Sequence, residues 1–477
     1  MFHSELVSEG ELTLGGRVAV IGSGYVGTVV AACLAYVGHS VVAVEADPEK
    51  HGCLSAGVVP FHEPLLDGYI AATLANGSLQ FTADLGLAMD SSDVVFVCVG
   101  TPPGPDGRPD LTAMLGVARA IAMNLRHYHV IVIKSTVPIG TGQWLTTVIE
   151  DAIGFNESTE LFSVVSNPEF LREGNAVHDY LHPDRVVLGG ANAEAVRRVA
   201  EVYRPILEQQ IPEQVSSRDK VPLLQTGWAT AELTKYASNA FLATKISFAN
   251  EMARLCDFVG ADVTEVTAGM GLDSRIGGRF LDAGLGWGGS CFGKDLDALV
   301  STAAEYGYRA ELLSAAIAVN HSQRHLAVDE LLKALKTLRG ARICLLGLAF
   351  KPDTDDIRDS PALGVAGRLI EMGAFVSAYD PMVVTLPGVT DIRIASDAYS
   401  AARGADAIVF ATEWPQLLTL ELSRLRSVMR GDVFLDGRNG FDPQRVQGAG
   451  FRYLGIGRPH TALVPSNTSL PDQIPVN

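Results

Sequence analysis

Residues Arg17–Glu45 read RVAVIGSGYVGTVVAACLAYVGHSVVAVE. Arg17–Ile21 is a short apolar run, the pattern of a buried strand. Tyr25–Tyr36 reads as an apolar helix, and Ser40–Glu45 as a second strand. Between the first strand and the helix stands Gly22-Ser23-Gly24-Tyr25-Val26-Gly27, a G-x-G-x-x-G turn. The first glycine permits the tight turn, the second lets the backbone approach a pyrophosphate, and the third lets helix and strand pack closely. The helix start offers N–H groups and a positive dipole end to the phosphates. Glu45 closes the second strand 23 residues after Gly22. A carboxylate there accepts hydrogen bonds from ribose hydroxyls and repels a 2′-phosphate, which favours NAD over NADP. A packing turn that binds no nucleotide is the alternative.

Outward from this unit the same grammar continues. Apolar strands are expected at Val94–Val99, Val130–Lys134 and Phe162–Val165, with helices such as Leu111–Leu125 between them. Strands alternating with helices imply a parallel, doubly wound α/β sheet over roughly the first 215 residues. Ala231–Val259 then runs without Gly or Pro at helical periodicity, and Lys294–Tyr306 and Ala310–Leu338 are also helix-like. The middle of the chain therefore reads as mostly α. Strands return at Ala341–Leu346, Ala374–Tyr379, Ala407–Ala411 and Val433–Leu435, with a helix from about Pro361 to Met372. The expected architecture is two Rossmann-like doubly wound domains, 15–215 and 336–457, joined by a helical domain, 216–335. Residues 1–15 are expected to form a loose lead-in and 458–477 a disordered, Pro-rich tail.

Composition excludes several classes. Lys and Arg total 37 against 54 Asp and Glu, a net charge of −17, so nucleic acid is not an expected partner. Residues 18–44 carry no formal charge, long enough to raise a membrane span. Gly22, Gly24, Gly27, Gly38 and His39 break the run, and acidic Glu5, Glu9 and Glu11 precede it instead of a basic signal-peptide region. The expectation is a cytoplasmic chain without membrane association. Six cysteines, at 33, 53, 98, 256, 291 and 344, show no C-x-x-C spacing, which suggests neither a metal site nor a disulfide framework. Five of them are expected to be small buried hydrophobes.

The sixth, Cys291, lies in Gly286-Trp287-Gly288-Gly289-Ser290-Cys291-Phe292-Gly293-Lys294-Asp295. Small residues let a substrate approach the backbone, and a cysteine just before a helix beginning near Lys294 can have a lowered pKa and act as a nucleophile. Asp295 can orient it or take its proton. Lys235 and Asn239, four apart on a helix, can hold an oxyanion, or can be a snorkelling lysine and a capping amide. Glu169 and Glu173 are likewise four apart and would share a face if helical. Thr101 and Thr136 follow expected strands, where ligands sit in open α/β sheets; each segment also reads as an ordinary turn.

Seven motifs in order, GSGYVG, STVPIGT, SNPEFLREG, KYASNAFLATKISFANE, GWGGSCFGKD, FKPDTDDIRDSP and DGRNGFD, make the chain resemble the UDP-glucose 6-dehydrogenases of the UDP-glucose/GDP-mannose dehydrogenase family over roughly residues 15–457. The resemblance implies oxidation of a sugar C6 alcohol to a carboxylate by two hydride transfers to NAD. Cys291 would form a thiohemiacetal and then a thioester; Lys235 and Asn239 would stabilise the oxyanion; Asp295 would move protons through a water; and Glu169 and Thr136 would hold water near C6. On the cofactor side it implies Gly22, Gly24, Tyr25, Val26, Gly27, Glu45, Lys50, Thr101, Thr136, Glu173 and Lys294. On the UDP-sugar side it implies Phe170, Leu171, Lys235, Asn239, Phe280, Leu281, Gly288, Phe350, Lys351 and Arg438, with Arg275 supplied by a neighbouring subunit. A homodimer or higher homo-oligomer follows from that last residue. Gly278 and Gly293 stand where proline is common in the bacterial pattern, and Trp287 where Phe or Tyr is usual; these departures touch substrate fit and not chemistry. A GDP-mannose or other nucleotide-sugar dehydrogenase, a two-electron hydroxy-acid dehydrogenase, and a nucleotide-sugar sensor without turnover are the competing readings.

Overall fold

The computed structural model describes residues 15–104, 107–154, 161–212 and 220–459. The expected lead-in through residue 14 and the tail from residue 460 lie outside the described residues. Close contacts gather the chain into two compact units. One takes the chain through Leu242 with Gly289–Ser314 and Lys351–Asp356; the other takes Ala243–Gly288, Ala315–Phe350 and the chain from Ile357 onward.

The first unit is built on an eight-stranded sheet. Its strands are β1 (Arg17–Ile21), β2 (Ser40–Val44), β3 (Leu79–Thr82), β4 (Val94–Val97), β5 (His129–Ile133), β6 (Phe162–Ser166), β7 (Val186–Gly190) and β8 (Leu223–Thr226), in the order β3-β2-β1-β4-β5-β6-β7-β8. Strand order reverses between β1 and β4, which opens a crevice at their carboxyl ends. The strands are apolar on both faces because helices cover both. Along β1, Val18 and Val20 join one buried cluster while Ala19 and Ile21 join another.

The sheet departs from the all-parallel expectation in one place: β7 runs antiparallel to β6, and β8 follows β7 in parallel. The segment joining β6 to β7 holds only a six-residue helix, Ala176–Leu181. At ~1.5 Å per residue that helix spans about 9 Å, against about 17 Å for a five-residue strand, so it is not the full-length crossover helix of a parallel βαβ unit.

The second unit repeats the plan with six strands: β9 (Arg342–Leu346), β10 (Phe375–Tyr379), β11 (Ile392–Ile394), β12 (Ala407–Phe410), β13 (Val433–Asp436) and β14 (Arg452–Gly455). All pairs are parallel, in the order β11-β10-β9-β12-β13-β14. The long helices are Trp228–Val259, Phe292–Glu305 and Glu311–Leu335, each within three residues of expectation at either end. Among the described residues no helix is long and apolar enough to cross a membrane.

One buried carboxylate organises the second sheet. Asp380, just past β10, accepts hydrogen bonds from Leu348 N (2.7 Å), Ala349 N (3.0 Å) and Trp414 Nε1 (3.1 Å) on one oxygen, and from Met382 N (2.9 Å) and Val383 N (3.0 Å) on the other. Asp380→Ala strands these donors in a dry interior, where each unsatisfied group costs about 1–3 kcal/mol. With five donors left, the variant is expected to lose about 5 kcal/mol or more, read as a lower denaturant midpoint.

Candidate active site

The glycine turn has the geometry its spacing implies. Gly22 sits at φ +93°, and a Cβ on Gly27 would stand 1.9 Å from the Gly22 carbonyl oxygen, so side chains are excluded at both. A Cβ on Gly24 would meet nothing within 4 Å, which leaves open space above the start of the Tyr25–Tyr36 helix. Glu45 is largely buried at the end of β2. One of its oxygens accepts from Asp47 N at 3.0 Å and the other pairs with Lys50 Nζ at 3.2 Å. Thr101 and Thr136 are joined, Thr101 Oγ1 donating to Thr136 O at 2.6 Å, so the loops after β4 and β5 meet.

The most concentrated chemistry lies beside these loops in the same unit. Lys235 Nζ bonds Glu169 Oε1 at 3.0 Å, with side chains only 4% and 7% exposed. Asn239, one helical turn on, donates to Asp295 Oδ2 at 2.7 Å, and Lys294 Nζ donates to Asp295 Oδ1 at 2.7 Å. The snorkelling and capping alternatives are therefore wrong: Lys235 and Asn239 are both buried and point inward. Cys291 precedes the Phe292–Glu305 helix directly, with Ser290 Oγ 3.5 Å from its sulfur. Ser290 Oγ also donates to Glu173 Oε1 at 3.1 Å.

Electrostatics follows from burial and pairing. Burial alone would lower the Lys235 ammonium, but Glu169, with Cys291 and Asp295, more than offsets it, and its pKa is raised. Burial works to raise the Glu169 carboxyl, yet Lys235 and the Leu171 N–H at 2.6 Å hold it below its ordinary value. The Cys291 thiol does not have the lowered pKa expected of it. Burial pushes it up, and Lys235 opposes that only in part. Nor do Glu169 and Glu173 share a helical face: residues 167–175 are not helical, because Glu169 turns back to accept the Leu171 N–H and Gly174 adopts φ +79°.

Phe170 lies under the Arg185 guanidinium, 3.7 Å from its ring centroid, and Leu171 packs on the sheet core. The Lys351 ammonium donates to the Glu173 carbonyl. In the second unit, Arg438 donates to Ala411 O at 2.8 Å and Phe350 O at 3.0 Å, which places it at the carboxyl ends of β9 and β12 where that sheet reverses order. A Cβ on Gly288 would stand 2.2 Å from Asp359 O. Leu281 is buried. Phe280 holds φ +63°, a strained conformation for a bulky residue at about 1–2 kcal/mol. Arg275 is exposed and ion-paired to Asp273 at 2.6 Å. Trp287 is buried, its indole N–H donating to Ser247 Oγ at 3.0 Å, so the ring is a packing element. Cys53 is half-buried, unlike the other four cysteines expected to be buried. Among the described residues no cluster of three His, Cys, Asp or Glu is placed to hold a metal.

Three buried charges of the first unit were given no role in the sequence analysis. Lys134, its pKa lowered by burial to about 8, bonds Asn167 Oδ1 and Tyr203 Oη. Glu232 accepts from Gly140 N (2.6 Å), Gly142 N (2.8 Å) and Ser166 Oγ (3.0 Å). Glu63 accepts from the backbone of Gly174 and Ala176, both at 2.7 Å. No local motif marks any of them; each lies on or beside a segment that does carry one.

The chain matches three domain models in order: the NAD binding domain of the UDP-glucose/GDP-mannose dehydrogenase family over residues 16–207, the central domain over 229–322 and the UDP binding domain over 344–443. It is 44% identical to a UDP-glucose 6-dehydrogenase of Rhizobium meliloti across 93% of this chain and 100% of that one. The chain belongs to the UDP-glucose/GDP-mannose dehydrogenase family. It is an NAD-dependent dehydrogenase. A UDP-glucose 6-dehydrogenase of Bacillus subtilis is 41% identical over 93% of each chain. A solved UDP-glucose dehydrogenase from Pyrobaculum islandicum superposes with a TM-score of 0.84 at 36% identity, covering 95% of this chain and 100% of that one.

In this family member the Cys291 thiol is raised, so its thiolate fraction grows with pH through the alkaline range. Alkylation of ligand-free Cys291 by iodoacetamide, followed by peptide mass, should still be accelerating above pH 9. Lys235→Met removes the charge that opposes the shift and should move the profile to higher pH; an unmoved profile would separate Lys235 from the thiol.

Proposed function

We propose that this chain oxidises UDP-glucose at C6 to UDP-glucuronate. The observation that carries the reading is half-buried Cys291 set with the buried pairs Lys235–Glu169 and Asn239–Asp295 within one unit. The overall change consumes one water and releases two hydrides and three protons per alcohol. NAD, when bound, supplies the hydride acceptor for each oxidation.

The residues present fit that cofactor. Open space over Gly24 accommodates a pyrophosphate at the helix start, and the Glu45 carboxylate, steadied by Lys50, suits ribose hydroxyls. Tyr25, Val26 and Gly27 continue that surface, and Thr101, Thr136, Glu173 and Lys294 are assigned to its nicotinamide end.

In the first oxidation Asp295, through a water, takes the proton of the C6 hydroxyl. Lys235 has three N–H donors and Asn239 two; Glu169 and Asp295 each occupy one. The remaining donors face the oxygen where charge develops. The Cys291 thiol then adds to the aldehyde carbon and its proton passes to the carbonyl oxygen, giving a thiohemiacetal whose oxygen is held by the same donors. Loss of the second hydride from carbon and of that proton from oxygen leaves a thioester. Glu169, kept anionic by Lys235, and Thr136 hold the water that attacks it; the carbon–sulfur bond breaks, and the thiol is regenerated. Phe170, Leu171, Lys351, Phe280, Leu281, Gly288, Phe350 and Arg438 are assigned to the sugar nucleotide.

The division into 15–215, 216–335 and 336–457 is retained as the functional one, in the order of the three family models. A homodimer is proposed on an apolar face of the second unit. Phe248, Leu255 and Val259, at i, i+7 and i+11 of one helix, are 46%, 52% and 66% exposed. Exposed Leu272 and Arg275 lie in the same unit, and Arg275 would reach the neighbouring subunit's sugar nucleotide. Catalysis is assigned to the cytoplasm.

The test is NADH formed per sugar nucleotide consumed, with UDP-glucose, GDP-mannose and UDP-N-acetylhexosamines in parallel. Two NADH per UDP-glucose, with little turnover of the others, is expected. Turnover of another sugar instead keeps the chemistry and moves the substrate; binding without turnover supports a sensor. Cys291→Ser should bind UDP-glucose yet form no glucuronate. Glu45→Ala should raise the KM for NAD roughly tenfold, the loss of charged hydrogen bonds to a ribose; an unchanged value removes Glu45 from that contact.

A further inference from the structure

Glu63 lies in the Phe61-His62-Glu63-Pro64 segment, outside the residues assigned to either ligand, yet it is only 4% exposed. A buried carboxylate must be satisfied, and its lone pairs show by what. Oε2 accepts from Gly174 N at 2.7 Å and from the Tyr25 hydroxyl; Oε1 accepts from Ala176 N at 2.7 Å and Val177 N at 3.4 Å. These four donors take up the lone-pair sites of the carboxylate, so it is committed to the protein. Tyr25 is the first residue of the helix that opens at the glycine turn. Burial and Glu63 together push its phenol up, so it stays protonated and donates. The Phe61 ring packs against Tyr25 at 4.9 Å, and Gly174 N also reaches Tyr25 Oη at 3.1 Å.

The far side of this segment is equally constrained. A Cβ on Gly174 would stand 2.3 Å from Asp353 O, and Lys351 donates to the Glu173 carbonyl. The Glu173 carboxylate accepts from Ser290 Oγ at 3.1 Å, and that oxygen lies 3.5 Å from Cys291 Sγ. An unbroken line of contacts thus runs from the glycine turn through Tyr25, Glu63, Gly174, Glu173 and Ser290 to the cysteine.

We propose that Glu63 is a positioning residue: it fastens Gly174–Val177, and through Glu173 and Ser290 the Cys291 turn, to the start of the glycine-turn helix. The inference rests on the reaction proposed above: each NAD accepts one hydride, so two oxidations of one bound sugar require a first dinucleotide to leave and a second to enter. A clamp made wholly of protein groups keeps the cysteine side assembled across that exchange.

The test uses the full chain with Glu63→Gln and Tyr25→Phe. Gln presents an amide N–H₂ where the carboxylate accepted, so it opposes one of the backbone donors; Phe removes one hydroxyl and leaves the backbone bonds. For Glu63→Gln, Cys291 alkylation by iodoacetamide without ligand should rise at least threefold, and the KM for UDP-glucose about tenfold. The Kd for NADH measured without sugar should stay within about twofold. Tyr25→Phe should shift alkylation in the same direction by a smaller factor. Wild-type alkylation and KM in Glu63→Gln would overturn the proposal. So would an NADH Kd that weakens in step with the KM, which would confine Glu63 to the cofactor turn. If Glu63→Gln does not fold, Tyr25→Phe decides: a wild-type alkylation rate overturns the proposal, and a raised one sustains it. If the wild-type protein turns over no sugar nucleotide, the functional reading fails while the alkylation arm still tests the clamp.

Discussion

The Lys235–Glu169 ion pair is the constraint on which the site depends. Moving two charges into an interior costs several kcal/mol each, and attraction repays this only with good geometry and further hydrogen bonds. Both conditions are met: the 3.0 Å contact is supplemented by the Leu171 N–H on the carboxylate and the Phe170 ring near the ammonium. A pair of apolar residues would pack there at less expense, so stability does not explain the charges. Their consequence is electrostatic. Burial lifts the Cys291 thiol, and the Lys235 ammonium is the principal opposing influence. Glu169 is itself held anionic, so one bond fixes the charge state of a buried carboxylate and of the cation that opposes the rise of the Cys291 thiol.

The second pair, Asn239–Asp295, repeats the arrangement one turn along the Trp228–Val259 helix. Glu232, Lys235, Tyr236 and Asn239 fall at i, i+3, i+4 and i+7, one face of that helix, and all four are buried. The outward positions include apolar Leu233, 42% exposed, and Phe241, 66% exposed. This helix is inside-out over its first half.

That inversion marks where sequence reading ran out. The strand–glycine–helix unit was legible because each glycine there answers a steric demand, at Gly22 through its φ and at Gly27 through the Gly22 carbonyl. The long helices were legible from periodicity alone. Lys235 and Asn239 were ambiguous because polar residues on a helix ordinarily face water; only the ordered motifs raised them above that reading. Glu63, Lys134 and Glu232 were invisible because their partners are backbone groups or side chains distant in sequence, 111 positions in the case of Glu63 and Gly174. The antiparallel β7 was missed for a related reason: its direction shows in its pairing with β6, distant in sequence, and not in its own residues.

The two sheets show how one topology is put to different uses. Each turns after its first strand on a glycine with positive φ, Gly22 at +93° and Gly347 at +96°. Each glycine N–H donates to the last carbonyl of the neighbouring strand, Val44 O or Tyr379 O. The next acidic residue diverges. Glu45 keeps its carboxylate at the crevice, held by Asp47 N and Lys50. Asp380 turns its carboxylate inward onto Leu348, Ala349 and Trp414. Where Gly24 leaves open space, the corresponding stretch of the second sheet, Leu348-Ala349, is buried by its own packing. The stretch after β9 therefore repeats neither the open space at Gly24 nor the way Glu45 holds its carboxylate. What the second crevice presents instead is a guanidinium, Arg438, fixed by the carbonyls of Ala411 and Phe350 and paired through Nε with Glu413 at 3.2 Å. A fixed cation at a strand-order reversal suits an anionic ligand whatever its sugar, so the same chain can offer two nucleotides two different chemical surfaces.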